Sequence, residues 1–192
     1  MAGRGYTVFD TAIGRCCIVW SNAGIVAVQL PEAREIDTRR RVYHLYPDAR
    51  ELRPPTNTEI AVQGIVTLLR GEAIDLSDVM LDVAGIHVFN QRVYQLTRAI
   101  PRGETRTYGE IATRLGASGA THSVAQAIAK NPFMIIVPGH RVLEAGHYAD
   151  QISPYGGTIS KRRLLSIEGA SASSSKTLFD ALLPVAPPRP HN

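Results

Sequence analysis

Two short helical segments separated by a glycine turn constrain this chain more than any other feature of its sequence. Thr107 is suited to cap a helix over 108–115, and Glu110 completes the capping-box pattern. Gly116 ends that helix, and a second one, rich in small side chains, is predicted over 118–130. The pattern is typical of a helix-turn-helix, whose second helix enters a DNA groove. An ordinary helical hairpin fits the spacing as well, so that alternative stays open.

The residues before this motif predict a small antiparallel sheet with two helices. Strands are expected at 6–9, 16–20 and 25–30, with turns between them. A charged helix is expected over 32–46. A second helix, capped by Thr56 or Asn57, is expected to end before Gly71. Its apolar positions share one predicted buried face: Ile60, Ile65, Leu68 and Leu69.

The remaining segments complete the predicted domain organisation. A helix is expected over 89–100, a buried strand or extended segment over 133–137 and a last helix over 161–169. We therefore predict a small α/β domain over 1–85 and a mainly helical, winged-helix-like domain over 86–169. The tail over 170–192, rich in serine and then proline, is predicted to be disordered. Its apolar patch at 178–183 is open to two interpretations, docking back on the protein or binding a partner.

Positive charge is concentrated in the second half of the chain. Residues 1–86 carry 9 Lys and Arg against 11 Asp and Glu, whereas residues 87–169 carry 10 against 5. Four of the six histidines also lie in this second part. A basic half of this kind favours a polyanionic partner such as nucleic acid.

The two cysteines of the chain exclude several classes of protein. Cys16 and Cys17 are adjacent, so they cannot link distant segments as a disulfide scaffold, and a reducing, cytoplasmic setting fits best. We expect no structural zinc site and no other metal or cofactor. No apolar run reaches the roughly 18 residues of a membrane helix, so no membrane association is expected. We expect a monomer.

The second half also carries a series of short motifs in a fixed order. From Phe89 to Gly169 the chain resembles the O6-alkylguanine-DNA alkyltransferases (methylated-DNA–protein cysteine methyltransferases). The first half is similar as well, because a Thr-x-x-Gly strand pair leads to Leu30-Pro31. The matching segments are Phe89-Asn-Gln-Arg-Val-Tyr94, Ile100-Pro-Arg-Gly103, Thr107-Tyr-Gly-Glu-Ile-Ala112, Asn131-Pro132, Pro138-x-His-Arg-Val142, Gly156-Gly157, and Lys161 through Leu164-Leu165 to Glu168.

This resemblance implies an alkyltransferase fold and a DNA-binding function. Family members insert the second helix into the minor groove, and an arginine replaces the flipped guanine. The alkyl group then moves irreversibly to a cysteine thiolate. The implied DNA contacts here are Arg106, Thr107, Tyr108, Arg114, Thr121, His122, Ser123, Ala125, Gln126, Lys130 and Arg141. The implied base pocket is Asn131, Pro138, Tyr155 and Gly156. His140 and Glu168 match the pair that keeps the thiolate ready.

The chain departs from the family pattern where the alkyl group would be accepted. Gly139 stands at the position of the acceptor cysteine, and a glycine has no side chain to alkylate. His122 stands where the family has its intercalating arginine. The segment before Gly156 is longer than usual, and the pocket tyrosine is displaced to Tyr155. The loss of the cysteine resembles the alkyltransferase-like proteins, which keep the fold without the acceptor cysteine but usually retain the arginine.

Three functional hypotheses follow from these residues. The leading one is recognition of alkylated or otherwise modified guanine in double-stranded DNA, by base flipping and without alkyl transfer, alongside a repair protein. The second is a hydrolytic enzyme in which Glu168 orients His140 to activate a water against a modified base. In the third, the chain has lost DNA binding and uses its 147–155 loop or its tail as a protein-interaction module.

Overall fold

The computed structural model describes residues 3–145 and 161–169, beginning with a four-stranded sheet. Strands β1, β2 and β3 form an antiparallel meander, as the sequence predicts, and β4 pairs in parallel with β1 at the edge. The spatial order is β3-β2-β1-β4. The first two helices, α1 and α2, follow β3 and β4 along the chain. The bounds are β1 Gly5–Thr11, β2 Gly14–Ser21, β3 Gly24–Gln29, α1 Glu35–Leu45, β4 Arg50–Glu51 and α2 Thr56–Leu69.

The central strand β2 is buried on both faces. Side chains alternate along a strand, so Cys16 points into the main core and Cys17 into a smaller cluster on the opposite face. Val42 of α1 belongs to that smaller cluster and helps to cover it. Both thiols are fully buried, as small apolar side chains of a core are.

Helix α2 differs from its predicted form at two points. The residue before its first turn is Pro55, and no side chain caps it. Asn57 instead exchanges hydrogen bonds with the backbone of Met80, which ties the helix to the connector, residues 72–86, that leads to α3. Ile60 is 56% exposed, because Ala61, Gly64 and Ile65 form the buried face together with Leu68 and Leu69. The predicted capping residue and the predicted burial of Ile60 are therefore wrong.

The second half is mainly helical, as predicted. Helix α4 begins with the predicted capping box: Glu110 N–H donates to Thr107 Oγ1, and Thr107 N–H donates to the Glu110 carboxylate. The turn after α4 leads into α5, which completes the helix-turn-helix. The bounds are α3 Val88–Arg98, β5 Arg106–Thr107, α4 Tyr108–Arg114, α5 Thr121–Ala129, a 3-10 turn Gly139–Arg141, β6 Val142–Leu143 and α6 Lys161–Ile167.

The segment 133–137 is buried but does not form the continuous strand that its apolar run predicts. Phe133 makes one isolated bridge to Val28, and Met134 makes another to Val137. Ile135 has a φ of 73°, which interrupts an extended conformation. The side chain of Asn131 stabilises the resulting turn, because its amide donates to Val137 O (2.9 Å) and its oxygen accepts from Phe133 N–H (2.9 Å).

The two halves of the chain share one apolar core. Ile18 and Leu30 from the sheet belong to the same buried cluster as Val93 and Phe133. Val28 N–H also donates to Pro132 O at 2.9 Å. The division into domains at residue 85 stays a prediction. Among the helices of residues 3–145 and 161–169, none is both long and apolar enough to cross a membrane.

Candidate nucleic-acid interface

A short parallel pairing brings the start of the helix-turn-helix beside the 139–141 turn. Strand β5 pairs with β6, so Arg106 lies opposite Val142 and Thr107 opposite Leu143. Lys161, the first residue of α6, donates to Val142 O at 3.1 Å and to the Tyr108 hydroxyl at 3.0 Å. The segments over 106–108, 139–143 and 161–168, distant in sequence, therefore form one site.

Helix α5 presents a polar face without a single carboxylate. Val124, Ala127 and Ile128 are buried against the core. The opposite side carries small or uncharged side chains and ends in the cation of Lys130. Its exposed or half-buried residues are Thr121, His122, Ser123, Ala125, Gln126, Ala129 and Lys130. A face of this composition can approach an anionic groove closely, because small side chains leave room and no negative charge opposes the phosphates.

Basic side chains border this face. Arg114, in the last turn of α4, and Lys130 are both exposed, and the charged group of neither makes a hydrogen bond or salt bridge with another described residue. Arg106 is different, since it pairs with Glu104 at 2.7 Å and donates to Thr105 O. Of these three basic residues among the predicted DNA contacts, Arg114 and Lys130 are thus the more available for an external anion such as a phosphate.

Gly139 lies beside Ile128, near the C-terminal end of α5, whereas His122 lies near the N-terminal end. A Cβ atom at residue 139 would lie 3.2 Å from Ile128 Cγ2 and 3.5 Å from the Asn131 amide nitrogen. The glycine is buried, with Pro138 before it and His140 after it. Along the helix axis, His122 and Ile128 are roughly 9 Å apart, so α5 connects the exposed surface to the buried turn.

Beside Gly139, His140 and Glu168 form the predicted pair. His140 Nε2 and Glu168 Oε1 are 2.8 Å apart, and both side chains are buried. Burial lowers the pKa of His140 below its ordinary value despite the carboxylate, which favours the neutral imidazole. Because Nε2 is hydrogen-bonded to Glu168, the other ring nitrogen, Nδ1, is the one that remains for a ligand.

Arg141 makes the second contact to the same carboxylate. Its Nε and Nη2 donate to the two oxygens of Glu168 at 2.9 and 2.8 Å, and its Nη1 donates to Ile100 O at 2.6 Å. Burial raises the pKa of Glu168, but the hydrogen bonds from His140 and Arg141 outweigh it and lower that pKa to about 2. The predicted DNA contact of Arg141 stays a prediction; in this structure its guanidinium is buried and bonded to Glu168.

His122 and Gln126 interact with each other on the exposed side of α5. His122 Nε2 lies 3.0 Å from Gln126 Nε2, the spacing of residues one helical turn apart. The amide nitrogen of Gln126 donates in this arrangement, and the imidazole nitrogen accepts. The position predicted for an intercalating side chain therefore carries an imidazole ring that is hydrogen-bonded to its own helix.

Neither thiol of the chain is placed to act as an acceptor. Cys16 and Cys17 lie in β2 and are fully buried. Burial raises the pKa of each thiol to about 12, so both stay protonated near neutral pH. A protonated, inaccessible thiol is a poor nucleophile.

The structure brings most of the predicted site residues together, and it adds three. Thr107, Tyr108 and Thr121 cluster at the adjoining starts of α4 and α5, where a Cβ at Gly109 would lie 3.9 Å from both threonine hydroxyls. Tyr155 and Gly156 lie outside the described residues. The residues that sequence reasoning did not assign to the site are Lys161, Ile128 and Arg102, the last of which donates to Glu168 O at 3.2 Å. The sequence does contain an indication for Lys161, because this residue begins the last family motif, which ends at Glu168.

Three comparisons with known proteins point to one family. The family described as 6-O-methylguanine DNA methyltransferase, DNA binding domain, matches residues 88–170. The methylated-DNA–protein-cysteine methyltransferase of Mycobacterium tuberculosis is 36% identical over 176 residues, which are 91% of this chain and 98% of that protein. Its namesake from Methanothermobacter thermautotrophicus is 32% identical, over 80% of this chain and 79% of that protein.

Solved structures agree in fold. The crystal structure of Mycobacterium tuberculosis O6-methylguanine methyltransferase matches with a TM-score of 0.67 and 32% identity, over 92% of this chain and 99% of that one. A crystal structure of the same organism's protein in complex with DNA matches with a TM-score of 0.63 and 32% identity, over 85% of this chain and 92% of that one. The predicted alkyltransferase fold is confirmed. The chain therefore belongs to the O6-methylguanine-DNA methyltransferase family.

Proposed function

We propose that this protein binds double-stranded DNA containing alkylated guanine and recognises the modified base without accepting its alkyl group. The observation that carries the proposal is Gly139, which stands in a buried turn beside the His140–Glu168 pair and offers no atom to alkylate. The relatives are named for a protein cysteine as methyl acceptor. The two thiols of this chain are fully buried in β2, and their raised pKa values keep them protonated.

The DNA-binding part of the proposal rests on the composition of the helix-turn-helix. The outer face of α5 combines small side chains with Lys130, and Arg114 extends the positive charge onto α4. The M. tuberculosis relative has been crystallised in complex with DNA, and it aligns with this chain over most of its length. Minor-groove binding through α5 and extrusion of the base toward Gly139 are therefore the mode we propose.

The His140–Glu168 pair beside Gly139 also has a role in this proposal. The ion pair between Arg141 and Glu168 anchors the turn, and Glu168 fixes the orientation of the His140 ring. Nε2 of the neutral imidazole donates its proton to the ionised Glu168 carboxylate, so Nδ1 can accept one hydrogen bond from an inserted base. In our proposal this pair serves as a recognition element for the base.

Binding measurements with matched duplexes test this proposal. We expect the protein to bind a duplex with one O6-methylguanine more tightly than the unmodified duplex, with an affinity that falls steeply as salt is raised. Arg114→Glu combined with Lys130→Glu should weaken binding to both duplexes and reduce the salt slope by about 2, since each lost phosphate contact removes about 0.9.

The matched control for these reversals is Arg53→Glu, an exposed arginine in the N-terminal half. It should leave the affinity and the salt slope close to those of the unaltered protein. Equal weakening by the control and the double variant would place the DNA surface elsewhere. Salt-independent binding, or no binding at low salt, would instead favour the protein-interaction hypothesis.

A further inference from the structure

A cleft of about 510 Å³ adjoins the 139–141 turn on the side of α2 and the connector. Pro138 and Arg141 line it next to the turn, and Ala73 to Ser77 line its opposite wall. Much of the lining is apolar, and Ile74 at the wall is 42% exposed. The apolar lining residues are Leu68, Ile74, Leu76, Ile100, Ile135 and Ile136. The cleft is thus an incompletely covered extension of the core.

Three arginines also line this cleft, and their charges are unequally compensated. Arg141 is ion-paired with Glu168. In contrast, Arg98 donates to the carbonyls of Leu76 and Val79, and Arg102 donates to the carbonyls of Gly71, Ile167 and Glu168. Within the described residues, neither Arg98 nor Arg102 forms an ion pair with a carboxylate, and Arg98 Nε is buried without an acceptor.

The one acidic side chain in the lining, Asp75, makes no ion pair with these arginines, although it and Asp78 attract Arg98 over a longer distance. Both oxygens of Asp75 accept hydrogen bonds from Ser77, one from its backbone N–H and one from its hydroxyl, at 2.8 Å each. The cleft therefore combines apolar walls with two guanidiniums bonded to neutral oxygens. This combination favours an apolar ligand that carries a carboxylate.

The chain leaves the described structure at the rim of this cleft. The end of α6 contacts Arg102, which lines the cleft. The carbonyl oxygen of Ile167 also lies 3.4 Å from the Cβ position of Gly71, two residues before Ala73 of the lining. The nine residues after Gly169, up to and including Leu178, span up to about 30 Å when extended. The segment over 178–183, Leu-Phe-Asp-Ala-Leu-Leu, carries Asp180, the one acidic residue in the 170–192 tail.

We propose that the 178–183 segment of the protein's own tail docks in this cleft, with its leucine and phenylalanine side chains on the apolar walls and Asp180 facing Arg98 and Arg102. The tail would then cover the outer side of the Pro138–Arg141 segment. This inference rests on the cleft and the chain exit, and it is independent of whether the protein binds alkylated guanine.

Directed disulfide formation in the full-length chain tests the docking. Ile74→Cys places one thiol at the cleft and Ala181→Cys places one in the segment, whose leucines and phenylalanine are kept, and Cys16 and Cys17 are buried. With oxidised glutathione as oxidant, the 74–181 disulfide should form about tenfold faster than in the control with Ile60→Cys and Ala181→Cys, because docking raises the effective thiol concentration. Ile60 is exposed and lies outside the cleft lining.

The charge pairing is tested in the same background. Asp180→Lys should reduce the 74–181 rate to that of the control pair, while Asp180→Glu should retain most of it. Intact mass and peptide mapping without reductant give the rates. Equal rates for the 74–181 and 60–181 pairs would overturn the docking, and an unchanged rate with Asp180→Lys would overturn its pairing with the arginines.

Discussion

Gly139 is the residue on which the account of this protein depends, and its packing allows a direct test. The nearest neighbour to a side chain at this position is Ile128 Cγ2, at 3.2 Å from the Cβ site. This distance is short for a carbon–carbon contact, so a side chain requires Ile128 to shift. The turn has thus closed around glycine, and a cysteine at this position would be crowded.

We therefore predict that Gly139→Cys destabilises the protein by about 1 kcal/mol, as overpacking of a core does. Ile128→Leu removes the β-branched methyl at constant volume, so the double variant should recover most of this loss. Urea unfolding provides the measurement. Gly119→Cys is the control, because nothing lies within 4 Å of its Cβ position. A loss in Gly139→Cys no larger than in the control would contradict the crowding.

Glu168 makes stability depend on pH in the acid range. Its pKa is about 2 in the folded protein and about 4.3 in an unfolded chain. A lowered carboxyl pKa means that the unfolded state binds the proton more readily, so the stabilisation is complete above about pH 4.3 and is lost as the pH falls toward 2. The pKa of buried His140 is also lowered, so the unfolded chain binds a proton at this residue more readily. A further loss of folding stability therefore begins as the pH falls below about 6.5.

Glu168→Gln is predicted to destabilise the protein at pH 7 by about 3 kcal/mol, because Arg141 keeps its buried charge without a carboxylate. The difference between the two proteins should shrink as the pH falls from 5 toward 2. Denaturant titrations at several pH values measure it. The control is Glu104→Gln, whose exposed pair with Arg106 is worth less than about 1 kcal/mol. If the difference in stability between Glu168→Gln and the unaltered protein does not change with pH, the loss does not arise from the missing carboxylate charge.

At the scale of an element, α5 combines two properties that DNA binding by base flipping requires. Its outer face is small and free of carboxylates, and its inner face seals the Gly139 turn through Ile128. The side chain at its exposed end must fill the stack when a base leaves, since an empty gap costs a few kcal/mol of stacking. His122 is flat enough to stack, but it reaches less far than arginine.

His122→Arg is accordingly expected to strengthen binding to the modified duplex, and His122→Ala to weaken it more than it weakens single-strand binding. A fluorescent base analogue beside the modified guanine reports extrusion. Gln126→Ala is the companion variant, because it removes the hydrogen bond that holds the ring along the helix. If neither His122 substitution alters fluorescence or affinity, α5 does not flip a base.

The elements that the sequence predicted well are those with strong local signals. The capping box of Thr107 and Glu110, the meander and the small-residue helix α5 each follow from residues close in sequence. Strands β5 and β6 contain two residues each, too few for alternation, so their pairing depends on the tertiary fold. The positive φ of Ile135 could not be predicted either, because the apolar run over 133–137 also fits a strand.

At the scale of the whole molecule, the site is made by contacts between distant segments. His140 and Glu168 could be paired from the resemblance, yet the burial of Arg141 between Glu168 and Ile100 could not, because an arginine after a histidine gives no sign of its partner. Lys161 reaches Tyr108 across 53 positions of the chain. These contacts fix the turn in place even though it carries glycine.

Mass measurement of protein and DNA from one reaction tests the central claim, recognition without alkyl transfer, most directly. The protein is incubated with excess duplex containing O6-methylguanine, and the M. tuberculosis methylated-DNA–protein-cysteine methyltransferase is the acceptor control. We predict that the intact mass of this protein stays unchanged and that the DNA keeps its methyl group, while the control protein gains one methyl. A stoichiometric methyl gain on this protein would contradict the account, and catalytic loss of the methyl group or the base from the DNA would establish the hydrolytic alternative in its place.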